Sequence, residues 1–164
     1  NEPSAREMLS GGWVRAHYAR RACPSGVAQW LFAVTCHHRC ADLASSAART
    51  LGALISESEW VPQPADFLAA LQRNGADLTE LGPDAKAAVQ DAPPLGGASS
   101  QARASEPQVA EDPRQNLLAA LELLPVCARR WASSPLTSTQ RFAALRWILR
   151  FTLDLHAVAA FCHP

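Results

Sequence analysis

Val27, Trp30, Leu31 and Val34 recur at i, i+3, i+4 and i+7, the spacing that lines one side of an α-helix. Leu43, Ala47, Leu51, Leu54 and Ile55 carry the same period into a second helix, so the two form a hairpin. Nowhere does a run of apolar residues alternate with polar ones at the two-residue period of a half-buried strand. The predicted fold class is therefore all-α: irregular helical pairs, arranged either in a HEAT-like array or as an irregular bundle. No fixed repeat length of the tetratricopeptide kind is present.

Punctuation marks the remaining elements. Ser4-Ala5-Arg6-Glu7 has the form of a capping box, and Gly11-Gly12 should stop the helix it opens. Trp13 to Arg21 predicts a further turn or two, closed by Pro24. Ser25 and Asp42 are placed to cap the two helices of the hairpin. Trp60-Val61-Pro62-Gln63-Pro64 interrupts helix, because proline lacks an amide donor and disfavours helix in the residue before it. A short helix over 66–73 follows, with Asp66 in its first turn and Asn74-Gly75 as a left-handed C-terminal cap. Asp77 to Leu81 predicts one more turn, stopped by Gly82-Pro83.

Between 83 and 112 the apolar period is lost among Pro, Ala, Ser and Gly, which predicts a disordered loop. Order resumes at Asp112-Pro113 with Gln115 completing a cap. Leu117, Leu118, Leu121 and Leu124 should then form the inward stripe, with a break or kink at Pro125. Thr137-Ser138-Thr139-Gln140 opens a last helix, apolar around most of its girth from Phe142 to His156. Such a helix asks for neighbours on both sides. The domain is thus read as an N-terminal helical part (1–82), the loop (83–112) and a C-terminal helical hairpin (113–164). A start on Asn1 and an end just after an apolar run suggest a segment of something longer.

Composition narrows the functional classes. Apolar residues make up 48% of the chain and charged ones 18%, enough for a core and too apolar for wholesale disorder. Fifteen basic and fifteen acidic side chains cancel, so no excess exists to neutralise a run of phosphates, and direct nucleic-acid binding is not expected. Five cysteines at irregular spacing imply no disulfide framework; free thiols in a reducing, intracellular setting fit better. No apolar run reaches the roughly 20 residues needed to span a bilayer, so no membrane association is expected.

One cluster could hold a metal. Cys36-His37-His38-Arg39-Cys40 on a helix would point Cys36 and Cys40 the same way, with a histidine as third ligand. A closed zinc site needs a fourth ligand, and the remaining Cys23, Cys162 and His163 stand at no recognisable zinc spacing. The preferred reading packs Cys36 and Cys40 as small apolar residues at a helix end, with the histidines facing solvent or the helix dipole. Cysteine–histidine catalysis from the same residues is the alternative. No nucleophile elbow, phosphate loop or HExxH helix is present, so no catalytic residue, metal ligand or cofactor is assigned. Trp30 and Trp147 are core candidates that could instead anchor a partner.

The order Val27-Ala28-Gln29-Trp30-Leu31-Phe32, then Trp60-Val61-Pro62-Gln63-Pro64-Ala65-Asp66, Asn74-Gly75-Ala76-Asp77-Leu78 and Leu81-Gly82-Pro83, resembles the helical domain of the "family with sequence similarity 178" proteins. Asn116-Leu117-Leu118 continues the resemblance, which runs from about Val27 to His156 and is nearer to the family's shorter member. It implies a nuclear, non-enzymatic scaffold or adaptor of the DNA-damage response, which brings the SMC five/six genome-maintenance complex to lesions. Its partners would be SMC-complex subunits or a companion localisation factor. It further implies that Trp60, Pro62, Asp66, Asn74, Gly75, Asp77 and Pro83 are architectural signature residues. The loop over 83–112 departs from an ordinary connection between helices.

Overall fold

The computed structural model describes residues 5–74, 113–133 and the single residue Arg146. Seven helices occupy these residues: α1 (Ala5–Ser10), α2 (Trp13–Tyr18), α3 (Ser25–His37), α4 (Ala41–Leu54), α5 (Pro64–Arg73), α6 (Pro113–Leu121) and α7 (Leu124–Ala132). No strand is present among the described residues. One isolated parallel bridge joins Cys23 to Ser58, with the Cys23 amide donating to Glu57 O and the Glu59 amide to Cys23 O, each at 3.2 Å. The fold is all-α. The loop expected over 83–112, the turn over 77–81 and the helix predicted from Thr139 lie outside the described residues.

The α3–α4 hairpin is the centre. α4 buries every position its period marks: Leu43, Ala47, Leu51, Leu54 and Ile55. α3 does not follow its predicted stripe. Its buried side is Ala28, Leu31, Phe32, Thr35 and Cys36, while Val27, Trp30 and Val34 are half-buried at the margin. The turn of roughly one residue brings Phe32 to the middle of the molecule. There it meets Trp60 and Phe67 edge-on, at centroid distances of 5.9 and 5.1 Å. Phe67 in turn meets Trp131 edge-on at 6.2 Å. Full burial of a side chain such as Phe32 contributes about 1.5–3 kcal/mol, and edge-to-face pairs add about 0.5–1.5 kcal/mol each. Thr35 stays satisfied inside by donating its hydroxyl to Leu31 O at 2.9 Å.

Two expected caps are filled otherwise. Ser25 and Asp42 sit inside the first turns of α3 and α4, while Pro24 and Cys40 occupy the cap positions. Pro24 has the extended backbone a cap requires, which moves Ser25 into the helix, where its hydroxyl donates to Glu59 Oε2 at 3.4 Å. Cys40 has the same extended backbone, leaving Asp42 in the first turn, where the helix dipole favours its charge.

α6 packs on both α3 and α4. Its inward side is Asn116, Ala119, Ala120 and Leu123, continued by Cys127, a helical series. The leucine stripe is displaced from this face: Leu117 and Leu121 are half-buried, and Leu118 is 53% exposed. Alanines let the backbones approach closely, and a buried amide at Asn116 fixes the rotation. The expected break appears at Glu122-Leu123, with Pro125 in the first turn of α7, where its missing amide leaves no hydrogen bond unmade.

Candidate functional site

The chemistry-bearing residues gather at the C-terminal end of α3. A helix end leaves its last carbonyls without intrahelical donors. Here two asparagines from distant parts of the chain supply them. Asn74, just after α5, donates Nδ2 to Cys36 O at 3.1 Å and to Ala70 O at 2.8 Å. Asn116 on α6 donates Nδ2 to His38 O at 2.7 Å. Asn74 is the C-cap residue of α5, with its backbone at φ −86° and ψ 13°. Gly75, the glycine of the expected left-handed cap, lies outside the described residues.

Cys36, His37, His38 and Cys40 take up separate duties at this junction. α3 stops at His37 and His38 is extended, so Cys36 and Cys40 are not on one helix and lose the shared face that metal binding would use. Cys36 is 1% exposed, and burial, with the Asp66 carboxylate adding to it, pushes its thiol far above the ordinary value. Cys40 is half-buried and packs against the core. The His38 ring accepts the Cys40 amide at Nδ1, 3.0 Å away. His37 does not turn to solvent: its Nε2 is buried without a hydrogen-bond partner, and burial together with Arg73 lowers its affinity for a proton. Asn116 Oδ1 is likewise buried and unpartnered. Among the described residues no group of three or more His, Cys, Asp or Glu side chains is placed to share a metal ion.

The signature positions surround the same core. The Trp60 amide donates to Ser58 Oγ at 3.2 Å, and that hydroxyl donates to Trp60 O at 2.6 Å, closing a tight local turn. Pro62 is fully buried, and its carbonyl accepts Trp131 Nε1 at 2.9 Å. Asp66, 4% exposed, accepts the Gln63 amide at Oδ2, 2.7 Å away, and so caps α5. Burial raises its affinity for a proton, and the Gln63 hydrogen bond opposes that shift. Cys127 on α7 is fully buried, its thiol pushed up to about 12 by burial and by the Asp66 charge. Asp77 and Pro83 lie outside the described residues.

A shallow polar cleft of about 250 Å³ opens between this segment and α7, lined by Glu59, Val61, Gln63, Arg130, Trp131 and Ser133. Arg130 spends one of its donors on Ser58 O at 3.3 Å. Trp30, read as a possible anchor, is half-buried against the core, and Trp147 lies outside the described residues. Among the described residues the large apolar side chains presented to solvent are Trp13, 72% exposed, and Leu118. The sequence gives no period by which to single out Trp13, since α2 is too short to show one.

No family model, curated protein or solved structure matches this chain. Among the described residues no helix is long and apolar enough to cross a membrane.

Proposed function

We propose that this chain is a non-enzymatic helical adaptor: a packed helical body that holds an outward surface for another protein. The observation that supports it is the use made of the reactive side chains. Asp66 is a helix cap, Cys36 and Cys127 are core packing with thiols far from ionising, and His38 closes a turn. A nucleophile or general base needs a proton affinity near the working pH and an approach for substrate. Buried thiols held protonated have neither.

The finer reading is a nuclear localisation factor for the SMC five/six complex. It draws support from the signature residues Trp60, Pro62, Asp66 and Asn74 and from their resemblance to the family domain. The chain, tagged and incubated with purified SMC five/six subunits and with the companion localisation factor, should retain one of them. No retention of either by the folded chain would remove this reading and leave a helical module serving an unrelated protein contact.

A further inference from the structure

α2 is a helix whose residues are none of them buried, yet it is built with care. Val14 and Tyr18, four apart, lean on the core and define its inner side. Trp13 and Ala16 are exposed on the side turned away, His17 is exposed at the flank with its ring edge-on to Tyr18 at 4.8 Å, and Arg20 and Arg21 follow, exposed, in the turn that leaves the helix. Arg15, also exposed, lies about 160° around the helix from Trp13.

Two glycines shape the corner on which Trp13 sits. Gly12, at φ 68°, adopts the left-handed backbone that turns α1 into α2. A Cβ on Gly11 would stand 2.7 Å from Trp13 Cδ1 and 2.9 Å from its Nε1, so one edge of the indole rests on the bare Gly11 Cα. One edge of the ring is thus covered while 72% of the residue faces solvent. An exposed indole followed along the chain by two exposed arginines matches the composition of interface hot spots, where Trp and Arg dominate. Residues 5–23 hold four arginines and one glutamate, an excess of positive charge in a chain whose net charge is zero.

We propose that the outer side of α2, with Trp13 as anchor, together with Arg20 and Arg21 in the turn that follows, docks an acidic segment of a partner protein that carries an apolar side chain. The apolar group covers the indole, and carboxylates take the arginine forks in paired hydrogen bonds. Two guanidinium groups neutralise too few phosphates to hold a nucleic acid at physiological salt, and a neutral chain exerts no long-range pull on a polyanion. This surface rests on the adaptor reading but not on the identity of the SMC complex as partner.

The test uses the full chain and three fluorescent probes: a degenerate twelve-residue pool alternating Asp or Glu with Leu, Phe or Trp, the same pool with Lys in place of the acids, and a twelve-nucleotide oligothymidine. The acidic pool should bind best by anisotropy. Trp13→Ala and the pair Arg20→Glu with Arg21→Glu should each weaken it by about tenfold or more, Trp13→Phe should restore most of the binding, and Arg15→Glu should change it less than about threefold. Circular dichroism and the urea midpoint should stay as in the parent chain, since all these side chains are exposed. Equal binding of acidic and basic pools, equal loss with Arg15→Glu, or indifference to Trp13→Ala would overturn the proposal. Tighter binding of oligothymidine would reassign the surface to nucleic acid and overturn it as well. If SMC subunits fail to bind while the acidic pool shows this pattern, the partner named above is wrong and the α2 surface stands.

Discussion

The Asn116 side chain, carried on α6, donates to the main-chain carbonyl of His38 across 2.7 Å, although 78 residues separate the two in sequence. Asn74 does the same for Cys36 at 3.1 Å. Between them these amides take up carbonyls at the end of α3, Asn116 tying α6 to the hairpin and Asn74 tying the end of α5 to it. Asn116 is fully buried and Asn74 half-buried, so the first replacement should cost more. Asn116→Ala removes the donor and leaves the His38 carbonyl without it inside the protein, a loss of about 1–3 kcal/mol. Asn74→Ala should fall nearer about 1 kcal/mol, because water can reach the freed carbonyl. Urea denaturation with an unchanged slope is the measurement. A neutral Asn116→Ala would show that the amide does not fix the junction.

This pair also marks where the sequence was legible and where it was not. α4 is regular and alanine-rich, and every position its period marks is buried, with Ala44, Ala48 and Thr50 widening the same face. The glycine pair and the prolines place the breaks at Gly11-Gly12, at Pro62 to Pro64 and before Pro125. The buried faces of α3 and α6 are rotated from the apolar stripes that their sequence spacing marks. Packing instead favoured small residues and one polar amide, so Asn116 faces in and Leu118 faces out. A hydrogen bond between residues 116 and 38 leaves no trace in local spacing. The Cys36–Cys40 relation failed for a similar reason: it presumes a continuous helix, and α3 ends at His37.

His37 and Asp66 should give stability opposite slopes in pH. Burial lowers the proton affinity of His37 in the native state, whose ordinary value is 6.5. Below that value the unfolded chain takes up a proton that the native one resists, so stability falls as pH drops through about 6.5 toward the lower native value. His37→Gln should flatten that decline. Asp66 is raised from 3.8, so its contribution is fully present below 3.8 and is lost as pH climbs through the raised native value. Asp66→Asn should remove this second slope while keeping an acceptor for the Gln63 amide. Urea midpoints taken from pH 3 to 8, a range of roughly ordinary carboxylate and imidazole values, resolve the two. Parallel curves for parent and His37→Gln would refute the assignment.

Thiol chemistry should sort the four described cysteines by access. Cys36 and Cys127 are buried and held protonated, and Cys23 is fully buried with its proton affinity raised as well. The thiolate is the reactive form, so these three should react with iodoacetamide only as fast as the fold opens. Cys40, half-buried at the start of α4, should label first. Peptide mapping after timed quenching reads the order. Labelling of Cys36 ahead of Cys40 under native conditions would contradict the packing at the end of α3.

Trp131 combines a ring in the core with one hydrogen bond, and two substitutions separate these parts. Trp131→Phe keeps an aromatic ring near Phe67 but deletes the Nε1 donor to Pro62 O, for a loss of about 1–3 kcal/mol. Trp131→Ala also opens a cavity, for about 3–5 kcal/mol. If both cost the same, the hydrogen bond alone anchors α7 to the segment around Pro62. The check is paired urea titrations under identical buffer.

Gly11 and Gly12 adjoin, yet they serve different ends, and alanine at each should report it. At Gly12 there is open space but a left-handed backbone, φ 68°, which an L side chain adopts at a cost of about 1–2 kcal/mol. Gly12→Ala should therefore lower stability by about that amount and leave the setting of Trp13 largely as it is. At Gly11 the added carbon would come 2.7 Å from Glu7 O in the backbone of α1, and as close to the indole. The carbonyl cannot swing aside without loosening the bond it accepts from the Gly11 amide at 2.9 Å, so the indole or the α1–α2 corner must shift. Gly11→Ala should thus lose more stability than Gly12→Ala and also displace Trp13. Chemical shifts of the Trp13 indole Nε1–H, assigned by its loss in Trp13→Phe, measure the displacement. A large shift in Gly12→Ala with none in Gly11→Ala would mean that the bare Cα of Gly11 is not what seats the ring.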